Sequence, residues 1–142
     1  MNLTIFGYPQ TGKTTLFNLL TGAAIELKAY GDGKREINQK ICPLPDERLD
    51  RLASLYPDKR KINAALEIVD LAGISLGEVK TSLYLTNLRQ ADGLVHVVRG
   101  FIDPQIPHSR GRINVREDVA FMEEELLLAD LVSITARLDK LE

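Results

Sequence analysis

The stretch GYPQTGKTT, residues 7 to 15, combines residue types that can hold phosphate. It matches the pattern G-x-x-x-x-G-K-[ST] through Gly7, Gly12, Lys13 and Thr14. Glycines let backbone N–H groups converge on phosphate oxygens, and Lys13 would neutralise charge on the outer phosphates. The Thr14 hydroxyl is an oxygen ligand of the kind that Mg²⁺ prefers. The stretch therefore predicts a phosphate-binding loop, to which the remaining residues Pro9, Gln10, Thr11 and Thr15 also contribute.

A second candidate group is Asp70 in LEIVDLAG, which ends an apolar stretch. Its carboxylate would hold Mg²⁺ through water, and the backbone N–H of Gly73 would approach a terminal phosphate. Taken alone, a D-x-x-G sequence is most often an ordinary Asp in a turn. Because this one follows the strand after a phosphate loop, it predicts the metal side of the same site.

The elements that must position these residues are strands that alternate with helices. Apolar stretches predict strands at 2–6, 65–69 and 94–98. Helical spacing predicts helices from Leu16, from an N-cap at Asp46, and across 83–88. Alternation of this kind requires crossovers and implies an α/β fold with a parallel sheet. A chance match to the phosphate pattern rarely falls between a strand and a helix, so the position favours a phosphate site over a plain glycine turn.

Composition indicates an ordinary globular domain. The chain has 142 residues, of which 44% are hydrophobic and 27% are charged, and its net charge is -2. This balance argues against a surface that coats polyanions, and we interpret the small basic clusters as solvated faces. The single Cys42 excludes an internal disulfide and a cysteine-built metal site. Neither a membrane span nor a secretory signal is evident, so we expect a cytoplasmic protein with no membrane partner.

The C-terminal part of the chain, from Glu117 to Leu141, contains no helix breaker. Its apolar residues recur in steps of four, three, four and three: Leu127, Leu131, Ile134, Leu138 and Leu141. This spacing is typical of a coiled-coil seam, but it is equally consistent with a helix that packs on its own sheet. The helix has neither a glycine cap nor a proline stop before Glu142, and we expect it to be cut rather than finished.

Beyond the phosphate loop, five stretches resemble the Obg-related, YchF-type P-loop NTPases. They are GYPQTGKTTLFNLLTG, LPDERLDRLASLYPDK, LEIVDLAGI, TNLRQADGLVHVVRGF and EEELLLADL, in the order that the family has them. Common P-loop proteins share only the first and third. The resemblance covers essentially the whole chain, and the other three stretches make it specific.

This resemblance implies an α/β P-loop NTPase fold, a three-layer sandwich with a mainly parallel sheet and a long C-terminal helix that starts a coiled-coil arm. It divides the chain into a partial nucleotide-binding (G) domain at 1–115 and a helical arm at 116–142. The family's base-specificity segment and TGS domain would be absent from this chain. The resemblance also implies an Mg²⁺-dependent switch that binds GTP or ATP, hydrolyses the terminal phosphate, and acts on the ribosome or RNA.

The resemblance further implies how water would be oriented. Ile74 lies where Ras-like proteins carry a glutamine, and a hydrophobic side chain cannot polarise water. In the family, a histidine on the loop after the next strand is thought to substitute, and FIDPQIPHSRG places His108 there. A neutral imidazole can accept a hydrogen bond from water. An ordinary loop histidine is the alternative for His108, whereas His96 is interpreted as a satisfied core residue.

Two departures from the family predict a divergent paralogue. No threonine lies between Thr21 and Thr81, although the family's first switch offers one to Mg²⁺, and Lys34 falls near that place. The second switch is also shorter than the family's glycine-rich stretch. Two alternatives therefore stay open: a nucleotide-binding module with little hydrolysis, and an interaction fragment that forms a homodimer through the helical seam.

Overall fold

The computed structural model describes residues 1–25, 37–73, 82–108 and 110–141. Within these ranges the elements follow in the order β1 (Asn2–Phe6), α1 (Lys13–Thr21), β2 (Asn38–Pro43), α2 (Glu47–Leu55), β3 (Ala65–Asp70), α3 (Ser82–Gln90), β4 (Gly93–His96) and α4 (Val115–Leu138). No helix among the described residues combines the length and apolar character that crossing a membrane requires.

The four strands form one sheet in the order β2-β3-β1-β4. The strand β1 pairs in parallel with both β3 and β4, as the alternation of elements predicted. The strand β2 was not predicted, and it pairs antiparallel with β3. Its residues are exposed or only half-buried, so it has no continuous apolar run, and it ends at Pro43, a residue that edge strands tolerate.

Parallel pairing brings the chemically important strand ends to the same edge of the sheet. Ile5 on β1 is in register with Asp70, the last residue of β3, and Phe6 is in register with His96 at the end of β4. The phosphate loop leaves β1 directly after Phe6. The ends of β1, β3 and β4 therefore surround the predicted site, as is usual for ligand sites of α/β proteins.

Helices cover both faces of the sheet and complete three layers. On one face, Phe17 of α1 packs with Ile5 and Ile68. The other face carries α3 and α4 over a larger core of Phe6, Tyr8, Val69, Leu71, Tyr84, Leu88, Met122 and Ala129. The helices α1, α3 and α4 bury one side against the sheet, which gives the three-layer sandwich that the resemblance implied, whereas α2 has no buried residue.

The helix α4 packs on its own sheet, as one of the two interpretations predicted, but through a different set of residues. Met122 and Ala129 lie in the core, whereas the seam residues are exposed: Leu127, Leu131, Ile134, Leu138 and Leu141. The helix starts at Val115, two residues before the predicted start, because the Asn114 side chain accepts a hydrogen bond from the Glu117 amide. The seam thus faces away from the core in the described structure.

Candidate nucleotide site

The phosphate loop has a backbone that bends through left-handed conformations. Gly7 has a φ of 143° and Gly12 a φ of 96°, and Gln10 is a non-glycine residue at 59°. A Cβ on Gly7 would lie 2.4 Å from the carbonyl oxygen of Val97 after β4, so only glycine fits there. Gln10 tolerates a conformation that costs free energy for a residue with a side chain, which is characteristic of functional loops.

The N-terminus of α1 is open, in contrast to those of α2 and α4. Gly12 is its N-cap and offers no side-chain oxygen, and no acidic residue lies in the first turn. By comparison, Asp46 caps α2 and Asn114 caps α4, and both of those helices have acidic residues in their first turns. The first amides of a helix need acceptors, and its dipole favours negative charge there. A bound anion would accept hydrogen bonds from the first backbone amides of α1, which no side chain caps.

Lys13 is buried within the loop. Its Nζ donates to the carbonyl oxygen of Tyr8 at 2.5 Å, and the Thr11 hydroxyl donates to the same oxygen at 3.1 Å. Burial lowers the pKa of Lys13 to about 8, although the nearby charge of Asp70 opposes this shift. A buried ammonium group is costly without counter-charge, and bound phosphate would supply that charge.

Thr14 and Asp70, the two predicted metal ligands, are in direct contact. Thr14 Oγ1 donates to Asp70 Oδ2 at 2.8 Å, and Asn38 Nδ2 lies 3.5 Å from the same oxygen. Asp70 is 2% exposed, and its Oδ1 is buried with no hydrogen-bond partner among the described residues. Burial raises the pKa of Asp70, while the hydrogen bonds from Thr14 and Asn38 and the charge of Lys13 lower it.

These two side chains fit Mg²⁺. A hydroxyl and a carboxylate are the hard oxygen donors that this ion takes from proteins, and it completes its shell with phosphate oxygens and waters. Within the described part of the chain, no cluster of three or more His, Cys, Asp or Glu side chains could hold a metal by itself. The unpartnered Asp70 Oδ1 is an orphaned acceptor that a hydrated cation would satisfy.

Gly73 lies against the phosphate loop. A Cβ at this position would come within 2.6 Å of Pro9 Cα and 3.0 Å of Lys13 Nζ. The backbone after Asp70 therefore approaches the loop as closely as a glycine allows. Pro9 and Gln10 are half-buried, and Thr15 is exposed in the first turn of α1. The structure thus brings all the predicted loop residues and Gly73 to one place.

His108 lies in a different environment. Its Nε2 is 3.1 Å from Asp118 Oδ2 on α4, and its Nδ1 accepts the backbone N–H of Arg110 at 3.2 Å. Neither contact is with the phosphate loop. The side chain is 5% exposed. Ile74 and Lys34, on which other expectations rest, lie outside the described residues.

His96 packs in the core as predicted, but the prediction that its hydrogen-bonding groups are satisfied was wrong. Its ring stacks on Phe6 with centroids 4.8 Å apart, as expected of a core residue. However, its Nε2 is buried and has no hydrogen-bond partner among the described residues. Burial lowers the pKa of His96, which favours the neutral ring.

Sequence reasoning missed several polar residues around the site. Asn38 reaches Asp70 only because β2 pairs with β3, and no motif marks it. Tyr8 occupies a variable position of the phosphate pattern, yet its carbonyl receives both Lys13 and Thr11. Asp118, an acidic residue in the first turn of a helix, gives no sequence signal that it would be 2% exposed and face His108.

Comparison with known proteins agrees with this geometry. The profile of the family described as 50S ribosome-binding GTPase matches residues 2–135. The chain is 41% identical to the ribosome-binding ATPase YchF of Pasteurella multocida (strain Pm70) over 97% of its own length and 39% of that protein. It is 40% identical to the protein of the same name from Escherichia coli O157:H7, covering 89% of the chain and 36% of the relative. It is 34% identical to Obg-like ATPase 1 of Xenopus laevis, covering 100% of the chain and 37% of the relative.

The chain thus spans less than two fifths of the length of these three relatives. The resemblance to YchF and Obg-like proteins that the five stretches predicted is confirmed. Since the family profile matches almost every residue and the phosphate loop has the expected surroundings, the chain belongs to the 50S ribosome-binding GTPase family and is a P-loop protein.

Proposed function

We propose that the chain binds a purine nucleoside triphosphate, GTP or ATP, together with Mg²⁺ at the phosphate loop. The observation that carries the proposal is the 2.8 Å hydrogen bond between Thr14 Oγ1 and Asp70 Oδ2, next to a buried Asp70 Oδ1 that lacks a partner among the described residues. The open N-terminus of α1 and the buried Lys13 adjoin this pair. Together they form an anion site with a cation site beside it.

Each residue has a separate role in this proposal. The Lys13 ammonium neutralises the outer phosphates, and the N–H of Gly73 donates to the terminal phosphate. Thr14 and Asp70 would hold Mg²⁺, Thr14 through its hydroxyl and Asp70 through its carboxylate. When bound, Mg²⁺ neutralises negative charge on the phosphate oxygens. Backbone N–H groups of the loop surround the phosphates, with contributions from Gly7, Gln10, Thr11, Gly12 and Thr15. Pro9 has no N–H group and contributes to the shape of the loop.

The proposed reaction is hydrolysis of the terminal phosphate, with His108 as the residue that orients water. The water oxygen attacks the terminal phosphorus while the bond to the diphosphate oxygen breaks, in line with the attack. A neutral imidazole nitrogen would accept a hydrogen bond from that water. The loop that carries His108 follows β4, whose end lies at the same sheet edge as the phosphate loop. His108 Nδ1 accepts the Arg110 amide and Nε2 lies 3.1 Å from Asp118 Oδ2, so hydrolysis requires that loop to move.

The names of the relatives support a partner and a nucleotide. Two are called ribosome-binding ATPases, and a third is called an ATPase. We therefore include the ribosome or its RNA as the partner, the cytoplasm as the location, and ATP as the first nucleotide to test. Catalysis would consist mostly of positioning and electrostatic stabilisation.

Titration calorimetry with Mg-ATP and Mg-GTP tests binding, using the wild-type protein and the variants Lys13→Ala and Thr14→Ala. We expect saturable heat for at least one nucleotide, loss of binding for Lys13→Ala, and loss of the Mg²⁺ requirement for Thr14→Ala. Absence of heat with both nucleotides would disprove the proposal. Phosphate release by wild type and His108→Ala tests hydrolysis separately, since equal rates would remove His108 from the mechanism.

A second candidate function is an interaction module that binds nucleotide, hydrolyses little of it, and forms a homodimer. Two observations favour it. His108 is held away from the phosphate loop, and the seam of α4 from Leu127 to Leu141 is exposed. Sedimentation of the wild type and of Leu131→Ser tests dimerisation, and a wild type that stays monomeric at high concentration would exclude it.

A further inference from the structure

The loop between β4 and α4 is organised around one buried arginine. Arg99 is 1% exposed and donates to four carbonyl oxygens of this loop: Phe101 at 3.2 Å, Asp103 at 3.4 Å, Ile106 at 2.8 Å and Pro107 at 3.4 Å. The described residues provide no carboxylate partner for it. The guanidinium therefore replaces the backbone hydrogen bonds that a loop lacks, and it fixes the chain as far as Pro107, directly before His108.

The ring of His108 has a polar neighbour at each of its two nitrogens. Nδ1 accepts the Arg110 amide, so it is the nitrogen without a proton in the neutral ring. Nε2 then carries the proton and lies 3.1 Å from Asp118 Oδ2, close enough for electrostatic attraction but without the angle of a hydrogen bond. A neutral imidazole has only one nitrogen that can accept a hydrogen bond from water, and here that nitrogen is occupied. The conformation is thus incompatible with orienting water.

Asp118 is fixed to α4. It lies in the first turn of the helix, is 2% exposed, and receives Arg110 Nη1 on its second oxygen at 3.3 Å. The Arg110 guanidinium in turn stacks on the ring of Phe121, 3.7 Å from its centroid. The Asp118 carboxylate therefore contacts two residues of the loop, His108 and Arg110, from the first turn of α4. We call this group of His108, Arg110 and Asp118 the clasp.

The clasp is also connected to the phosphate loop. Tyr8, whose carbonyl receives Lys13, packs its buried ring in the same core as Met122, one turn beyond Asp118. The charges of Arg110 and Asp118 act on the pKa of Tyr8, which burial raises. A shift of the phosphate loop on nucleotide binding would reach α4 through this packing, and a force on α4 would reach the clasp.

We propose that Asp118 is a positioning residue that holds His108 in a water-inaccessible position, and that displacement of the first turn of α4 releases the histidine for hydrolysis. This inference rests on the proposed role of His108. It gives the helical arm a regulatory role. A partner that binds the arm and moves α4 would break the autoinhibitory contact between Asp118 and His108. The physical basis is a carboxylate that contacts both the ring and Arg110, so that one shift breaks both contacts.

The test compares Asp118→Ala with Glu117→Ala. Glu117 is the matched control because it is in the same turn and pairs with another loop arginine, Arg112, without contacting His108. Hydrogen exchange of residues 101–113 is measured without nucleotide. For Asp118→Ala we expect exchange to accelerate about tenfold, as loss of a buried charge-assisted contact implies, and for Glu117→Ala we expect little change. Unchanged exchange in Asp118→Ala, or equal acceleration in both variants, would overturn the proposal.

Hydrolysis under saturating nucleotide gives the second readout. We expect Asp118→Ala to raise kcat several-fold with KM unchanged, and we expect His108→Ala in the same chain to abolish the gain. A kcat that falls or stays equal while the loop opens would overturn the release of His108 by α4. If neither wild type nor variant hydrolyses nucleotide, the proposed hydrolytic function fails, and this inference fails with it even where the exchange data show a clasp.

A folding control accompanies these measurements. Asp118→Asn keeps the shape of the side chain and removes the charge that pairs with Arg110. It replaces Asp118→Ala if the alanine variant does not fold, and it should accelerate exchange in the same direction by a smaller factor. No acceleration in a folded Asp118→Asn would count against the clasp.

Discussion

Thr14 Oγ1 donates a hydrogen bond to Asp70 Oδ2 across 56 residues of sequence, at 2.8 Å. The contact joins the first turn of α1 to the end of β3. It brings together a hydroxyl and a carboxylate, two oxygen donors of the kind that Mg²⁺ prefers, and it leaves the second carboxylate oxygen without a partner among the described residues. Burial opposes ionisation of this carboxylate, and the hydrogen bonds from Thr14 and Asn38 and the charge of Lys13 favour it.

Asp70→Asn should therefore stabilise the nucleotide-free protein while it impairs Mg²⁺ use. Because burial raises the pKa of Asp70, folding is less favourable with this carboxylate charged than with it neutral. Removing the charge should raise the free energy of unfolding by roughly 1 kcal/mol. Urea unfolding without ligand and calorimetry with and without Mg²⁺ measure the two effects. The exposed Asp58→Asn is the control, and a full Mg²⁺ effect in Asp70→Asn would contradict the assignment.

Lys13→Met should change how stability depends on pH. Burial lowers the pKa of Lys13 to about 8 in the folded protein, against an ordinary value of 10.5. Between these values the unfolded chain binds more protons, so wild-type stability gains from rising pH in this window. The stability advantage of Lys13→Met over wild type should shrink by on the order of 2 kcal/mol from pH 7 to pH 10.

Urea unfolding of both proteins at several pH values checks the Lys13 prediction, with the exposed Lys59→Met as the control. A constant difference between Lys13→Met and wild type across the window would show that Lys13 is not a buried cation.

Gly73→Ala should push the segment after β3 away from the phosphate loop. The new Cβ would meet backbone atoms of Pro9 at 2.6 and 2.7 Å, which cannot yield as a flexible side chain can. We expect a loss of stability of about 1–3 kcal/mol and weaker triphosphate binding, with diphosphate binding less affected. Gly100→Ala is the matched control, since its Cβ would meet only Val115 Cγ2, at 3.8 Å. Similar effects in both variants would refute the close approach of Gly73.

Met122→Ala and Leu131→Ala should separate the two faces of α4. Met122 is 1% exposed in the core, and its truncation should cost about 2–5 kcal/mol. Leu131 is 59% exposed, and its truncation should change the stability of a monomer by less than about 0.5 kcal/mol. Denaturant unfolding at two protein concentrations measures both. A large, concentration-dependent loss in Leu131→Ala would instead reveal pairing through the seam.

The sequence determined the phosphate loop, because its chemistry is local. The four fixed positions of its pattern lie within eight consecutive residues: Gly7, Gly12, Lys13 and Thr14. The spacing of apolar residues alone predicts the order strand, loop, helix. The same holds for Asp70, since the end of an apolar strand in a parallel sheet must fall at the edge where the loop lies. Family resemblance then added His108, which no spacing rule indicates.

Only the tertiary structure decided which distant groups meet. The sequence did not predict the edge strand β2, because an edge strand buries few apolar residues. Asn38 lies on this strand, so its contact with Asp70 was not predicted either. The spacing of Leu127 to Leu141 predicted an apolar seam, yet packing on the sheet was decided by Met122 and Ala129 on another face. His108 lies 3.1 Å from Asp118 only because the loop after β4 folds back on the first turn of α4, and no local sequence pattern encodes that contact.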